Sequence, residues 1–76
     1  MSPKLPRITA SDVLRALLRD GWFKARQSGS HVILRHPTKP GRVTVPVHQG
    51  EIIAPKTLAH ILKDASLSVE EFIALL

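Results

Sequence analysis

Two stretches of strand character, WFKARQ and SHVILRH, stand only Ser28-Gly29 apart. So short a break leaves an antiparallel hairpin as the way to join them, since a parallel crossover needs a dozen residues or more. With Ser28 and Gly29 as the turn, Gln27 pairs with Ser30, Arg26 with His31, Lys24 with Ile33 and Trp22 with Arg35. One face then carries Phe23, Ala25, Val32 and Leu34. The other carries Trp22, Lys24, Arg26, His31, Ile33 and Arg35. The first is the predicted core face.

A third stretch, RVTVPV, follows after PTKPG. Val43, Val45 and Val47 reach the core only if Val43 lies opposite Leu34 and Val45 opposite Val32. A slip of one residue would turn all three outward, so burial selects the register. That register sets Arg42, Thr44 and His48 on the face of His31, with Pro46 opposite it. Proline has no N–H to give to a ladder, so this strand is expected at an edge or bulged at Pro46. A bulge there would reverse the positions after it, His48 included.

The flanks read as helices. In ITASDVLRALLRDG, Thr9 is the N-cap with Asp12 three residues on, and Ile8 is placed to staple onto Val13. Val13, Leu14, Leu17 and Leu18 make the apolar stripe, Arg15 and Arg19 lie off it, and Gly21 stops the helix. In PKTLAHILKDA, Pro55 suits the first position, and Leu58, Ile61, Leu62 and Ala65 form the stripe. LSVEEFIALL is a short last helix, with Ser68 and Glu71 as a capping box and Leu67 and Phe72 at the staple positions. The expected fold is α+β, in the order α-β-β-β-α plus a small C-terminal helix. Its three-stranded antiparallel sheet has both main helices on one face.

Seventy-six residues suit one domain over 1–76, with residues 1–7, which hold two prolines, as a loose tail. A chain this short buries only about 60–65% of the surface exposed when unfolded. With no cysteine, neither disulfides nor thiolate-bound zinc can reinforce it, and the 43% hydrophobic content must suffice. No apolar run of 18 residues or more and no signal-peptide core is present, so a cytoplasmic location is expected.

The net charge of +5 is unevenly spread. Residues 1–50 hold nine Lys and Arg against Asp12 and Asp20, a net of +7, while residues 51–76 net −2. Positive charge gathered around the hairpin suggests a polyanionic partner, most often nucleic acid. A solvated face kept soluble by charge is the plainer reading.

His31 is therefore predicted on an open, cationic sheet face. A strand histidine with no task is one reading. A metal site finds little support, because no HxxxH pair exists and a regular strand sends His31 and His36 to opposite faces. Proton transfer fits the surroundings better. Cleaving RNA without metal needs a base for the 2′-hydroxyl and charge stabilisation for a five-coordinate phosphorane. Histidine ordinarily titrates near neutrality and can give or take that proton. Arg26 opposite would favour the neutral, base-competent ring. Lys24, Arg26, Arg35 and Arg42 would bind phosphate and offset the developing charge. His36 reads as a structural histidine and His60 as a solvated one. Trp22 is a rim packing residue or a base stacker, and neither Asp12 nor Asp20 is placed to orient His31.

The helix followed by GWFKARQSGSHVILRHP, then VTVPVH, EIIAPKTLAHIL and LSVEEF, resembles the HicA (YcfA-like) toxin family over about residues 9 to 72. The resemblance implies a fold like a double-stranded-RNA-binding domain. The activity it implies is that of a ribosome-independent mRNA interferase from a bacterial toxin–antitoxin pair. The family's catalytic histidine follows a Gly-Ser turn, which implies His31, with Gly29 and Ser30 positioning it. A HicB antitoxin would neutralise the protein by covering this region. Duplex-binding domains of this fold usually carry a lysine cluster at the start of the second helix. This chain has only Lys56 there, with Lys63 two turns on, so single-stranded message is the expected substrate.

The expected protein is thus an endoribonuclease with His31 as general acid or base, Lys24, Arg26, Gly29, Ser30, Arg35 and Arg42 on the RNA, and His48 as a candidate auxiliary group. No metal or other cofactor is expected. A non-catalytic RNA-binding module and a purely protein-binding basic face are the alternatives. The steep salt dependence of nucleic-acid binding separates these two.

Overall fold

The structure, a computed structural model, describes residues 4–76. Three residues of the expected N-terminal tail lie outside this range. Of the rest, Leu5 packs against the core.

The element order is α1 (Ala10–Arg19), β1 (Phe23–Ser28), β2 (His31–Arg35), β3 (Val43–Pro46), α2 (Pro55–Asp64) and α3 (Val69–Leu75). The strands form one antiparallel sheet in the order β1-β2-β3. This is the α+β arrangement expected, consistent with that of a double-stranded-RNA-binding domain.

Both capping boxes form. The Thr9 hydroxyl accepts from the Asp12 N–H while Asp12 reaches back to the Thr9 N–H, and Ser68 and Glu71 do the same for α3. These reciprocal bonds satisfy N–H groups that a helix start leaves without partners. They also hold both carboxyls below their ordinary range, chiefly through the backbone N–H groups of Thr9 and Ser68. Pro55 opens α2, where its missing N–H costs nothing.

Val13 and Leu17 of α1 and Leu58, Ile61 and Leu62 of α2 meet Val32, Leu34, Val43 and Val45 of the sheet, with Trp22, Ala65 and Phe72 closing the core. The α1 stripe is narrower than expected. Leu18 is exposed, and Ala10 and Ala16 are buried instead. The β2–β3 register is the one burial demands, with Val43 opposite Leu34 and Val45 opposite Val32, and it runs unbroken to Pro46. β3 is an edge strand, as its proline requires.

The β1–β2 ribbon departs from expectation in two ways. The turn is Gly29-Ser30, so Ser28 pairs with His31, Gln27 with Val32 and Arg26 with Ile33. Gly29 has φ +57 and Ser30 an ordinary negative φ, the sign pattern of a type II′ hairpin with glycine first. Moving the turn by one residue shifts the register by two, so Arg26 keeps to the face of His31. Beyond Arg26 the register breaks, with Lys24 opposite Leu34 and Phe23 opposite Arg35, which leaves Ala25 as the extra residue of a β-bulge. The bulge exchanges the faces of the residues before it. Phe23, expected in the core, is 49% exposed, and Trp22, expected on the open face, is 1% exposed.

Trp22 explains the exchange. Its indole Nε1–H donates to Asp20 Oδ2 at 3.2 Å, and its ring meets His36 edge-on at a centroid distance of 5.1 Å. An indole with a satisfied N–H is a large apolar body well suited to burial. Once Trp22 points inward, simple alternation would carry Arg26 inward as well, and one additional residue cancels this.

His36 is the second pin. Its Nδ1 accepts from the N–H groups of Thr38 and Lys39, both at 3.1 Å, so the ring proton sits on Nε2 and is donated to the Asp20 carbonyl at 2.7 Å. Lys39 Nζ bonds Asp20 Oδ2 at 2.6 Å and the Ala65 carbonyl at 3.0 Å. The β2–β3 loop is thereby tied to the ends of α1 and α2.

Candidate functional site

The sheet face away from the helices carries Phe23, Arg26 and Ser28 from β1, His31, Ile33 and Arg35 from β2, and Thr44 and Pro46 from β3. Alternation back from Thr44 adds Arg42, which is exposed. His31 opens β2 directly after the turn, exposed to solvent, with Ser28 on one side and Pro46 on the other. Neither neighbour is charged. Arg26 lies opposite Ile33 and not opposite His31, which makes it a diagonal neighbour of the ring, roughly 7–8 Å away by standard sheet geometry.

The turn beneath His31 is held from both sides. Ser30 is half-buried, and its carbonyl accepts from the Val47 N–H at 2.7 Å. The Gly29 carbonyl accepts from Gln27 Nε2 at 3.1 Å. These bonds fix the position from which the histidine leaves the turn. Among the described residues, no side-chain hydrogen bond orients the His31 ring. Asp12 is occupied by the Thr9 cap and Arg15, and Asp20 by Trp22 and Lys39.

Of the four cations expected on this face, Lys24 is the one that the structure places elsewhere. The bulge turns it to the helix side, where Nζ bonds Gln27 Oε1 at 2.8 Å and the two border an apolar groove with Leu14, Leu18 and Val47. Arg35 stays on the open face and uses Nη1 to hold the Gly41 carbonyl at 3.1 Å. His48 stands on the loop after β3. It lines a cavity of about 270 Å³ with Pro46, Glu51, Ile53 and Thr57.

Five of the nine cations in the first fifty residues have internal partners. Arg15 and Lys39 pair with the carboxylates of Asp12 and Asp20, while Arg19, Lys24 and Arg35 donate to neutral oxygens of Leu75, Gln27 and Gly41 and keep their charge uncompensated. The positive charge open to a polyanion on the sheet is thus that of Arg26, Arg35 and Arg42. His60, on α2, lies within 3.4 Å of Asp64. Among the described residues no three His, Cys, Asp or Glu gather as metal ligands, and no helix is long and apolar enough to cross a membrane.

Phe23 is the face residue that sequence reasoning missed. The available signal was local. In extended chain, Trp22 and Phe23 must point to opposite sides, and Asp20 two residues earlier offers the indole N–H a partner that a phenyl ring cannot use.

Fold and face together define a small α+β protein with an arginine-lined sheet surface and one exposed histidine at a tight hairpin. The family model described as the HicA toxin of bacterial toxin–antitoxin systems matches residues 10–67. The chain belongs to this HicA toxin family, and membership of a toxin–antitoxin family implies an antitoxin partner. No curated protein matches the chain.

Proposed function

We propose that the protein is a toxin endoribonuclease that cleaves single-stranded message in the cytoplasm and is silenced by a HicB-like antitoxin. His31 serves as general acid or base, either taking the proton of the 2′-hydroxyl or giving one to the leaving 5′-oxygen. Gly29 and Ser30 set its position, and Arg26, Arg35 and Arg42 bind the flanking phosphates and offset charge on the phosphorane. His48 is the candidate for the second proton transfer. The supporting observation is an exposed imidazole on the same sheet face as Arg26 and Arg35, with Arg42 exposed just before β3, at a turn held by the Ser30–Val47 bond.

The test is incubation of RNA with excess chelator, comparing the parent with His31→Ala. Cleavage by the parent that His31→Ala lacks, with binding retained, supports the enzyme. Binding by both with cleavage by neither would make the protein a non-catalytic RNA-binding module.

A further inference from the structure

We infer that Phe23 is a base-stacking platform, holding an unpaired base of an RNA strand whose backbone runs over the arginines toward His31. The inference rests on the reading of this face as the RNA surface and adds a contact to it.

Three observations carry it. The chain has three aromatic residues of the Phe, Trp and Tyr kind, and two of them, Trp22 and Phe72, are at most 1% exposed. Phe23 is 49% exposed, so about half of a large apolar ring is open to solvent on the sheet. Second, it owes that position to a specific device. Without the bulge at Ala25 the same register would turn Phe23 to the core and bring Lys24 out, which is what burial of an apolar ring favours, so the observed arrangement runs against that preference.

Third, the neighbours of the ring are cationic. Arg35 is its cross-strand partner, and Arg26 follows on the same face of β1. The other exposed large hydrophobic residues, Leu18, Ile52, Ile73 and Leu76, lie on helices, the β3–α2 loop and the C-terminus. An aromatic ring flanked by two guanidinium groups, with Ile33 as its apolar diagonal neighbour, matches single-strand recognition, where bases stack on rings and cations track the backbone. Dry protein docking favours apolar company for such a ring.

The spacing is compatible with the chemistry. Arg35, opposite Phe23, is four residues from His31 along β2, roughly 13 Å at strand rise. Phe23 would therefore hold a base neighbouring the scissile nucleotide and not the scissile nucleotide itself. Stacking tolerates every base because each has a π face. Phe23 should thus raise affinity with little effect on sequence preference.

The experiment uses the full chain carrying His31→Ala, so that RNA is bound and not cut. A labelled single-stranded RNA is titrated at several salt concentrations, with Phe23→Leu and Phe23→Trp added to that background. Leucine keeps apolar bulk and loses the π face. Phe23→Leu should weaken binding by roughly 5- to 100-fold with an unchanged salt slope, and Phe23→Trp should retain parental affinity. Arg26→Ala provides the contrast, since losing a phosphate contact lowers the salt slope by about one. Thermal melts of Phe23→Leu should match those of its parent.

Equal affinity of the leucine variant and its parent overturns the stacking role while leaving RNA binding by the face intact. So does a leucine variant that keeps RNA affinity but loses the antitoxin, which would assign the ring to the protein partner. A parent without salt-dependent RNA binding overturns the functional reading and this inference with it.

Discussion

Gly21→Ala should be among the most damaging conservative changes in this protein. Gly21 follows α1 with φ +102, and a Cβ there would stand 2.7 Å from Nε2 of His36. The left-handed backbone alone costs a side chain roughly 1–2 kcal/mol. The close approach adds to this because the ring cannot step back. Its Nε2–H is committed to the Asp20 carbonyl and its Nδ1 to the Thr38 and Lys39 N–H groups. Any retreat breaks a bond on one side or compresses one on the other, at about 0.5–1.5 kcal/mol for each bond lost. The sum is about 2–4 kcal/mol. For a domain of this size that lowers the melting temperature by roughly 10–25 °C. Circular dichroism melts of the parent, Gly21→Ala, His36→Ala and the double variant make a thermodynamic cycle. In the His36→Ala background the methyl has room, and only the conformational cost of about 1–2 kcal/mol should remain. A loss below about 1 kcal/mol in the parent would refute the reasoning, since it falls short of the backbone cost alone. Equal losses in the two backgrounds would refute the steric part.

Two further outcomes follow from the contacts described above. Asp12 and Glu71 have folded-state pKa values below their ordinary 3.8 and 4.5 because the helix caps favour the charged carboxylate. Their contribution is therefore full above those ordinary values and is lost as pH falls through the lower folded ones. Melting temperature should drop below about pH 4.5, and less steeply in a Thr9→Ala, Ser68→Ala double variant; identical slopes would count against the caps. Lys39→Met, which removes the contacts to Asp20 and Ala65, should cost roughly 1–3 kcal/mol in urea denaturation and leave RNA cleavage per folded molecule unchanged. A selective loss of cleavage would mean that the loop serves the site directly.

The helix starts were legible because their determinants are local. Thr9 with Asp12, and Ser68 with Glu71, need only neighbours three residues apart. The β2–β3 register was legible because three valines share one face, and only one alignment buries Val43 and Val45. Arg26 kept its predicted face although its partner changed, since a two-residue shift preserves parity. What strand periodicity alone did not resolve was the conflict between an inward Trp22 and an outward Arg26. Trp22 is fixed by Asp20 and by His36, the latter fourteen positions on, and periodicity within β1 carries no record of that distant ring. Expectation failed for Trp22, Phe23 and Lys24 for this one reason. The placement of the turn had a readable clue, since a type II′ hairpin wants glycine at its first central position and so favours Gly29-Ser30 over Ser28-Gly29.

The interruption at Ala25 bears on self-association as well. An open three-stranded sheet has two rims, each a row of backbone groups on which another chain could add. Here one rim is broken partway along, and the other is only four residues long and ends in a residue without an N–H. Neither is a straight template of useful length, so copies of the protein at high concentration should stay separate and not stack strand upon strand.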